Sequence, residues 1–120
     1  MAQNNLLRAH VRAELAAARS ARTERDLERA WHHLERAHIL SQPSAWMHTH
    51  VHAAMWMLAL MTFDVRELAG QTVRLLVAGI GSLLGRYPVG NTGRARVPIA
   101  LPMPVPEDLQ HVLRSAGATV

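Results

Sequence analysis

The chain has 120 residues, a formal net charge of +4 and no cysteine. Its length predicts a single domain, and its balance of 49% apolar to 18% charged residues is that of a globular rather than a disordered chain. The lack of cysteine excludes disulfides, thiolate metal sites and thiol nucleophiles. All thirteen basic residues are arginine, which also excludes a Schiff-base lysine and a P-loop lysine.

Charges of both signs are interspersed along the first third of the chain, which is typical of solvated helix faces. Because no single-sign patch with interleaved aromatic residues is visible, we expect no nucleic-acid partner. The N-terminal residues lack the apolar core of a signal peptide. The longest apolar runs, around 51–61 and 75–84, are too short to span a bilayer. We therefore expect a cytoplasmic protein without a membrane partner.

Two helices are predicted in the first third of the chain. An alanine-rich helix runs from about Leu6 to Arg19 and carries His10 and Glu14 one turn apart. A second helix runs from about 24 to 40 and begins at a capping box that starts with Thr23. The core stripe of this second helix is predicted to consist of Leu27, Ala30, Trp31, Leu34, Ala37 and His38, with Glu35 at its edge.

A third helix follows a short break at Ser41-Gln-Pro-Ser44, because proline disfavours helix in the residue before it. A link this short makes the second and third helices antiparallel neighbours. The third helix, about Ser44 to Met61, is apolar nearly all round, which predicts burial. His48 and His52 lie one turn apart near its start, and the turn brings them close to His38.

The remaining chain divides into a helix, an extended segment and a short helix. A capping box at Asp64 begins the fourth helix, about 65–84. Residues 85–106 are rich in glycine and proline, which predicts an extended path strapped across the helices. A short last helix is predicted over 107–116. The core residues of the fourth helix are predicted to be Leu68, Val73, Leu75, Leu76 and Ile80.

Together these elements predict an all-α fold. The predicted architecture is an antiparallel four-helix bundle over about 6–84, followed by an extended Pro/Gly-rich C-terminal segment and a short last helix. Everything belongs to one helical domain.

Six of the eight histidines lie in the hairpin between Trp31 and Trp56. Imidazole is the commonest metal ligand in proteins, and helix bundles place Glu and His one turn apart to hold metals. We predict a transition-metal site between the second and third helices. Its predicted ligands are Glu35, His38, His48 and His52, with Glu14 and His10 as additional ligands or as residues that orient the ligands. The absence of thiolates suits iron, copper or zinc.

A metal-dependent enzyme with a small-molecule substrate is one form of this hypothesis, and oxidation ranks slightly ahead of hydrolysis by metal-bound water. Arg86 and Arg94 are predicted to bind an anion or the substrate. The turn Gly90–Gly93 either binds an anion through its amides or, more commonly for such a turn, anchors the C-terminal segment. The alternative is a metal-free interaction module or homodimer whose histidines serve in packing.

Several segments resemble the DUF3703 family of small bacterial proteins of unknown function. They are LERAHIL (Leu34–Leu40), His48-x-x-Val-His52 and above all GRYPVGNTGRARV (Gly85–Val97). The ELAAAR run and the Pro-Met-Pro tail are similar as well. The resemblance implies a bacterial helical protein and no particular activity. It matches His33 to the family's histidine before LERAH and makes His32 an extra residue. It also implies a recurrent pattern of Glu14, Glu35, His38, His48 and His52, which favours the metal hypothesis.

Overall fold

The computed structural model describes residues 2–120 and contains five α-helices over that range. They are α1 (Ala2–Thr23), α2 (Leu27–Ser41), α3 (Ala45–Met61), α4 (Val65–Leu83) and α5 (Glu107–Ser115). No strand occurs between residues 2 and 120, so the predicted all-α class is confirmed. Within the same residues, no helix combines the length and the apolar character needed to cross a membrane.

Polar side chains determine where three of the helices begin. The side chains of Asp26, Ser44 and Asp64 accept hydrogen bonds from backbone N–H groups in the first turns of α2, α3 and α4. The predicted cap at Asp64 is therefore confirmed. The predicted cap at Thr23 is wrong, because Thr23 is still part of α1. The chain then turns through Arg25, whose φ of 61° is left-handed, and α2 begins only after Asp26.

The helices pack in chain order, α1 on α2, α2 on α3 and α3 on α4, and α5 lies against α1 and α2. Among the described helices α4 contacts only α3. The predicted antiparallel four-helix bundle is not confirmed, since a closed bundle also needs α4 to meet α1 or α2. The segment between α4 and α5 instead contacts both α2 and α4, because Arg94 bonds Glu35 on α2 and Glu67 on α4.

The apolar core lies between α1, α2, α3 and α5. The predicted inner stripe of α2 is buried except at Leu27, which is 41% exposed. Leu27 is the first residue of α2 and lies at the turn, so its assignment to the core is wrong. The largest apolar side chains that are fully buried are Leu40, Val51, Met55, Leu109 and Leu113.

Helix α4 buries its polar side. Its predicted core residues Val73, Leu76 and Ile80 are 53%, 73% and 61% exposed, so the prediction is wrong for these three. Leu68 is partly buried and packs on the core. The buried residues of α4 are Glu67, Gln71, Arg74, Ala78 and Ser82. They recur at helical spacing, and their polar groups bond α3, the backbone of Gln42 and the C-terminal segment. The inner surface of α4 is therefore built to position polar groups.

Candidate metal centre

Three histidines converge between α2, α3 and α4. Nε2 of His38 lies 3.0 Å from Nε2 of His52 and 2.9 Å from Nε2 of His48. All three residues are buried. One ring nitrogen from each histidine lies within 4.8 Å of the other two. Among residues 2–120, no carboxylate belongs to this group. His38 comes from the last turns of α2, whereas His48 and His52 are one turn apart on α3, so the short turn at 42–44 creates the convergence.

The other ring nitrogen of each histidine faces an oxygen atom. Nδ1 of His38 lies 2.7 Å from the backbone O of Asn91, and Nδ1 of His52 lies 2.7 Å from Oε1 of Gln71. Nδ1 of His48 lies 2.7 Å from Oγ of Ser82. A ring nitrogen that donates to such an oxygen fixes the tautomer and the orientation of the imidazole.

Each of these oxygens acts as the acceptor. The Asn91 atom is a carbonyl, and the Gln71 amide is oriented because its Nε2 donates to the backbone O of Gly93 and to Oε2 of Glu67. The Ser82 hydroxyl already donates its proton to the backbone O of Gln42. Each Nδ1 therefore carries the hydrogen.

A neutral imidazole has one protonated nitrogen and one bare nitrogen. Because His38, His48 and His52 carry their hydrogens on Nδ1, the Nε2 lone pair of His38 faces those of His48 and His52 across 2.9 and 3.0 Å. Lone pairs at this distance repel unless a cation lies among them. The arrangement calls for a proton or a metal ion.

A proton is disfavoured at neutral pH. Burial lowers the pKa of His38 well below its usual value, and the neighbouring histidines lower it further. Burial also lowers the pKa of His48 to about 3 and that of His52 to about 4. The three Nε2 atoms therefore remain free for a metal at the pH where most proteins work.

The spacing fits a transition metal. Imidazole nitrogens bound tetrahedrally to zinc at about 2.0–2.1 Å lie about 3.3 Å apart. The separations of 2.9 and 3.0 Å from Nε2 of His38 need outward ring shifts of only a few tenths of an ångström. Three neutral imidazoles, each held at Nδ1, are a donor set used for zinc and also suited to copper or iron.

The loop at 90–93 supports the site from outside. The Asn91 side chain donates to the backbone O atoms of Pro98 and Leu101 and accepts from N–H of Gly93. The N–H of Gly90 donates to Oε1 of Gln42 on the C-terminal side of α2. The loop therefore anchors the C-terminal segment, as the commoner explanation of its sequence predicts, and it presents the Asn91 carbonyl to His38.

The predicted ligand Glu35 does not join the three histidines. Its carboxylate bonds the guanidinium of Arg94 at 3.2 Å. Burial raises the pKa of Glu35, and the positive charge of Arg94 opposes that rise. The structure therefore places the Glu35 carboxylate with Arg94 and outside the group of three converging histidines.

The two further predicted ligands on α1 also lie elsewhere. Glu14 bonds Nδ1 of His33 at 2.7 Å and Nε of Arg36 at 2.8 Å, so it joins α1 to α2. His10 is exposed and does not belong to the group of converging ligand atoms. The structure therefore places Glu14 and His10 outside the group formed by His38, His48 and His52.

The two arginines that were predicted to bind an anion, Arg86 and Arg94, lie in different surroundings. Arg94 lies over the ring of Trp31, 3.9 Å from its centroid, and bonds Glu67 at 2.7 Å. Because Arg94 is held by Trp31, Glu35 and Glu67, it is a structural residue rather than an anion-binding one. Arg86 lines a pocket of about 260 Å³ that the three histidines also line, and it stays a candidate for binding an anion.

Four residues that matter to the site were not predicted: Gln71, Arg74, Ser82 and Asn91. The first three share one face of α4 with Glu67, at successive spacings of four, three and eight residues. A polar stripe of this kind on an otherwise apolar helix is a signal in the sequence. Asn91 lies in the distinctive GNTG segment, but nothing local indicates that its carbonyl reaches His38.

The geometry can now be compared with known proteins. The family described as Protein of unknown function (DUF3703) matches residues 5–113. The chain belongs to the DUF3703 family. The match includes the three histidines, the polar stripe of α4 and the loop at 90–93. No curated protein and no solved structure matches this member of DUF3703.

Proposed function

We propose that this protein binds one transition-metal ion through Nε2 of His38, His48 and His52. The observation that carries the proposal is the orientation of the three rings. Every Nδ1 is hydrogen-bonded to an acceptor, so three bare Nε2 atoms converge in a buried place. Polar groups are rarely buried without a partner, and here the missing partner is a cation.

Zinc and copper suit this donor set best. Three histidines with an open fourth position are the ligand set of catalytic zinc sites, which lower the pKa of a bound water. The sequence alone ranks oxidation slightly ahead of hydrolysis, with Glu35 among the predicted ligands. With Glu35 bonded to Arg94, hydrolytic chemistry ranks first. The adjoining pocket of about 260 Å³ has room for a small-molecule substrate.

Elemental analysis of untagged protein tests the proposal, together with reconstitution with zinc, copper and iron followed by removal of loosely bound metal. We expect close to one ion per chain. His52→Ala should lose the ion while circular dichroism still shows a helical protein, and His48→Gln should do the same with a smaller change in volume. His50→Ala is the matched control, because His50 is exposed on the same helix. Failure to retain any of the three metals would refute the proposal, as would an unchanged stoichiometry in His52→Ala and His48→Gln.

A second function is favoured by the outer surface of α4. Val73, Leu76, Ile80 and Leu83 are exposed and fall on one face of the helix. Contiguous apolar surface of this kind marks interaction sites. We propose that two copies of the chain pair through this face, which is compatible with metal binding because the histidines lie on the opposite side of α4.

Sedimentation or light scattering tests this pairing. We expect a dimer in the wild-type protein and a monomer in the double variant Leu76→Glu/Ile80→Glu, with unchanged metal content. Leu27→Glu is the control, because Leu27 is exposed on α2 away from the pairing face. A monomeric wild-type protein across the accessible concentration range would exclude the homodimer.

A further inference from the structure

The pocket beside the histidines contains a buried arginine without an acidic partner. Arg74 is 7% exposed and lines the pocket together with His38, His48 and His52. Its guanidinium donates to the backbone O atoms of Gly70 and Val97. No carboxylate within residues 2–120 lies within ion-pair distance of it. A buried charge without a counterion is costly.

The glycine at position 70 lets the C-terminal segment approach α4 closely beside Arg74. A Cβ atom there would lie 2.4 Å from Cβ of Ala95 and 3.2 Å from a terminal nitrogen of Arg74. The guanidinium has five N–H donors and uses two of them on backbone carbonyls. Three donors remain. Burial lowers the pKa of Arg74 because the charged form is desolvated, and the negative charge of Glu67, which is not in ion-pair contact, opposes this shift. An anion in the pocket would replace the stabilisation of the guanidinium charge that is lost on burial.

The charges around the site lead to the same conclusion. Arg94 is balanced by the carboxylates of Glu35 and Glu67, and Arg74 adds one positive charge. These four groups therefore sum to zero, and the three histidines are neutral. A divalent metal ion would bring the sum to +2, and Arg86 at the same pocket adds a further positive charge. Neutral imidazoles cannot cancel this charge, so the site needs an anionic ligand.

The pocket walls indicate what kind of anion fits. Apart from the arginines and histidines, the lining is mostly apolar and includes Val77, Ala78, Ile99 and Tyr87. A volume of about 260 Å³ holds a molecule of roughly eight to ten non-hydrogen atoms, if about 30 Å³ is taken for each water-sized group. Apolar walls with a few convergent polar groups are typical of sites for small organic molecules.

We propose that this pocket binds a small organic carboxylate, with the carboxylate between the metal ion and the guanidinium of Arg74 and the apolar part against the walls of the pocket. The proposal rests on the metal binding proposed above. Arg86 at the same pocket strengthens the attraction. The ligand would be a substrate if the protein is an enzyme and a bound effector if it is not.

Benzoate and benzamide are suitable probes, because they have the same shape and differ in charge. Metal content is measured first, so that loss of the metal is recognised separately. Protein loaded with Co²⁺ is then titrated with each compound while its visible spectrum is followed. We expect benzoate to change the spectrum in a saturable manner and benzamide to have no effect at the same concentrations.

Variants assign the effect to Arg74. In Arg74→Met that retains the metal, we expect the affinity for benzoate to fall about 10- to 100-fold, as for loss of a charge-assisted hydrogen bond. Arg66→Met is the matched control, because Arg66 is exposed on the same helix. Should Arg74→Met fail to fold, Arg86→Met supplies the test with an expected loss of about threefold, since Arg86 is exposed and less desolvated.

Three outcomes would overturn the proposal. Benzamide that binds as well as benzoate would show that charge is not recognised. A metal-loaded protein without any response to benzoate would exclude carboxylate binding and leave the metal site intact. A protein that retains no metal would remove both proposals.

Discussion

Gly93 lies so close to His38 that a Cβ atom at position 93 would be 2.6 Å from Cδ2 of the imidazole. The backbone of Gly93 is left-handed, with φ of +80°. Two residues earlier, the carbonyl of Asn91 holds Nδ1 of the same ring. One short loop therefore both orients His38 and restricts the space around it.

We expect Gly93→Ala to displace the His38 ring and to weaken metal binding at least tenfold. It should also lower the free energy of unfolding by about 1–3 kcal/mol through backbone strain and overlap. Equilibrium metal titration and urea unfolding measure the two effects. Gly85→Ala is the control, because Gly85 also has a positive φ, of +65°, but a Cβ there would meet nothing within 4 Å. Equal losses of metal affinity in both variants would mean that the contact with His38 is unimportant.

Ser82→Ala and Gln71→Met each remove the acceptor of one histidine Nδ1–H. Without that oxygen the ring can rotate and the tautomer is no longer selected, so we expect metal affinity to fall about 10- to 100-fold in each variant. Competition with a coloured chelator measures the affinity. Ser115→Ala, at an exposed position on α5, should have no effect. Wild-type affinity in both Ser82→Ala and Gln71→Met would show that the bonds at Nδ1 do not support the site.

The metal-free protein should lose stability as the pH falls below 6.5. The unfolded chain binds a proton at each histidine near pH 6.5, whereas burial lowers the pKa of His48 to about 3 and of His52 to about 4 in the folded chain. Between pH 6.5 and these lowered pKa values, the unfolded state binds more protons than the folded state. Acidification therefore lowers the free energy of the unfolded state relative to the folded state, by about 1.4 kcal/mol per pH unit for each histidine. The full stability is present only above pH 6.5.

Urea unfolding with chelator present, between pH 7.5 and 5, measures this slope. His48→Gln should reduce the slope by close to one proton, and His50→Ala should leave it unchanged. A stability that is flat across this range, or the same slope in His48→Gln, would contradict the assigned burial of the neutral rings.

Arg94→Met should destabilise the fold by about 3–5 kcal/mol, because it leaves the carboxylate of Glu67, which is 1% exposed, without its ion-pair partner. The double variant Glu67→Gln/Arg94→Met should be more stable than Arg94→Met, since the buried charge is then gone. Chemical denaturation of the single and double variants measures the coupling. Arg96→Met, at an exposed neighbouring position, should change stability by less than about 0.5 kcal/mol. A double variant that is less stable than Arg94→Met would contradict the pairing.

The sequence predicts the helices well because their signals are local. The proline break and the cap at Asp64 place α3 and α4 within a residue or two of their observed bounds. The histidine cluster is also local, since His38, His48 and His52 span a single helix-turn-helix hairpin. Proximity along the chain and helical spacing are sufficient to bring them together.

The orientation of α4 and the role of Glu35 could not be predicted in the same way. Hydrophobic periodicity predicts that the apolar side of α4 faces the core. In the structure the polar side is buried instead, because Gln71 and Arg74 bond residues more than twenty positions later. Glu35 is spaced like a ligand to His38, yet Arg94 reaches it from 59 residues away. These contacts depend on where the C-terminal segment passes, and no local pattern encodes that path.

The bond between His38 and Asn91 joins residues 53 positions apart. A ribosome makes the chain from its N-terminus, so His38, His48 and His52 all emerge before the oxygens of Gln71, Ser82 and Asn91 exist. The nascent hairpin offers imidazoles that are still free to rotate, and an ion held there can exchange. We expect slow release of the ion only once the loop at 90–93 has closed over His38, so that a retained metal ion marks a molecule whose synthesis and folding are finished.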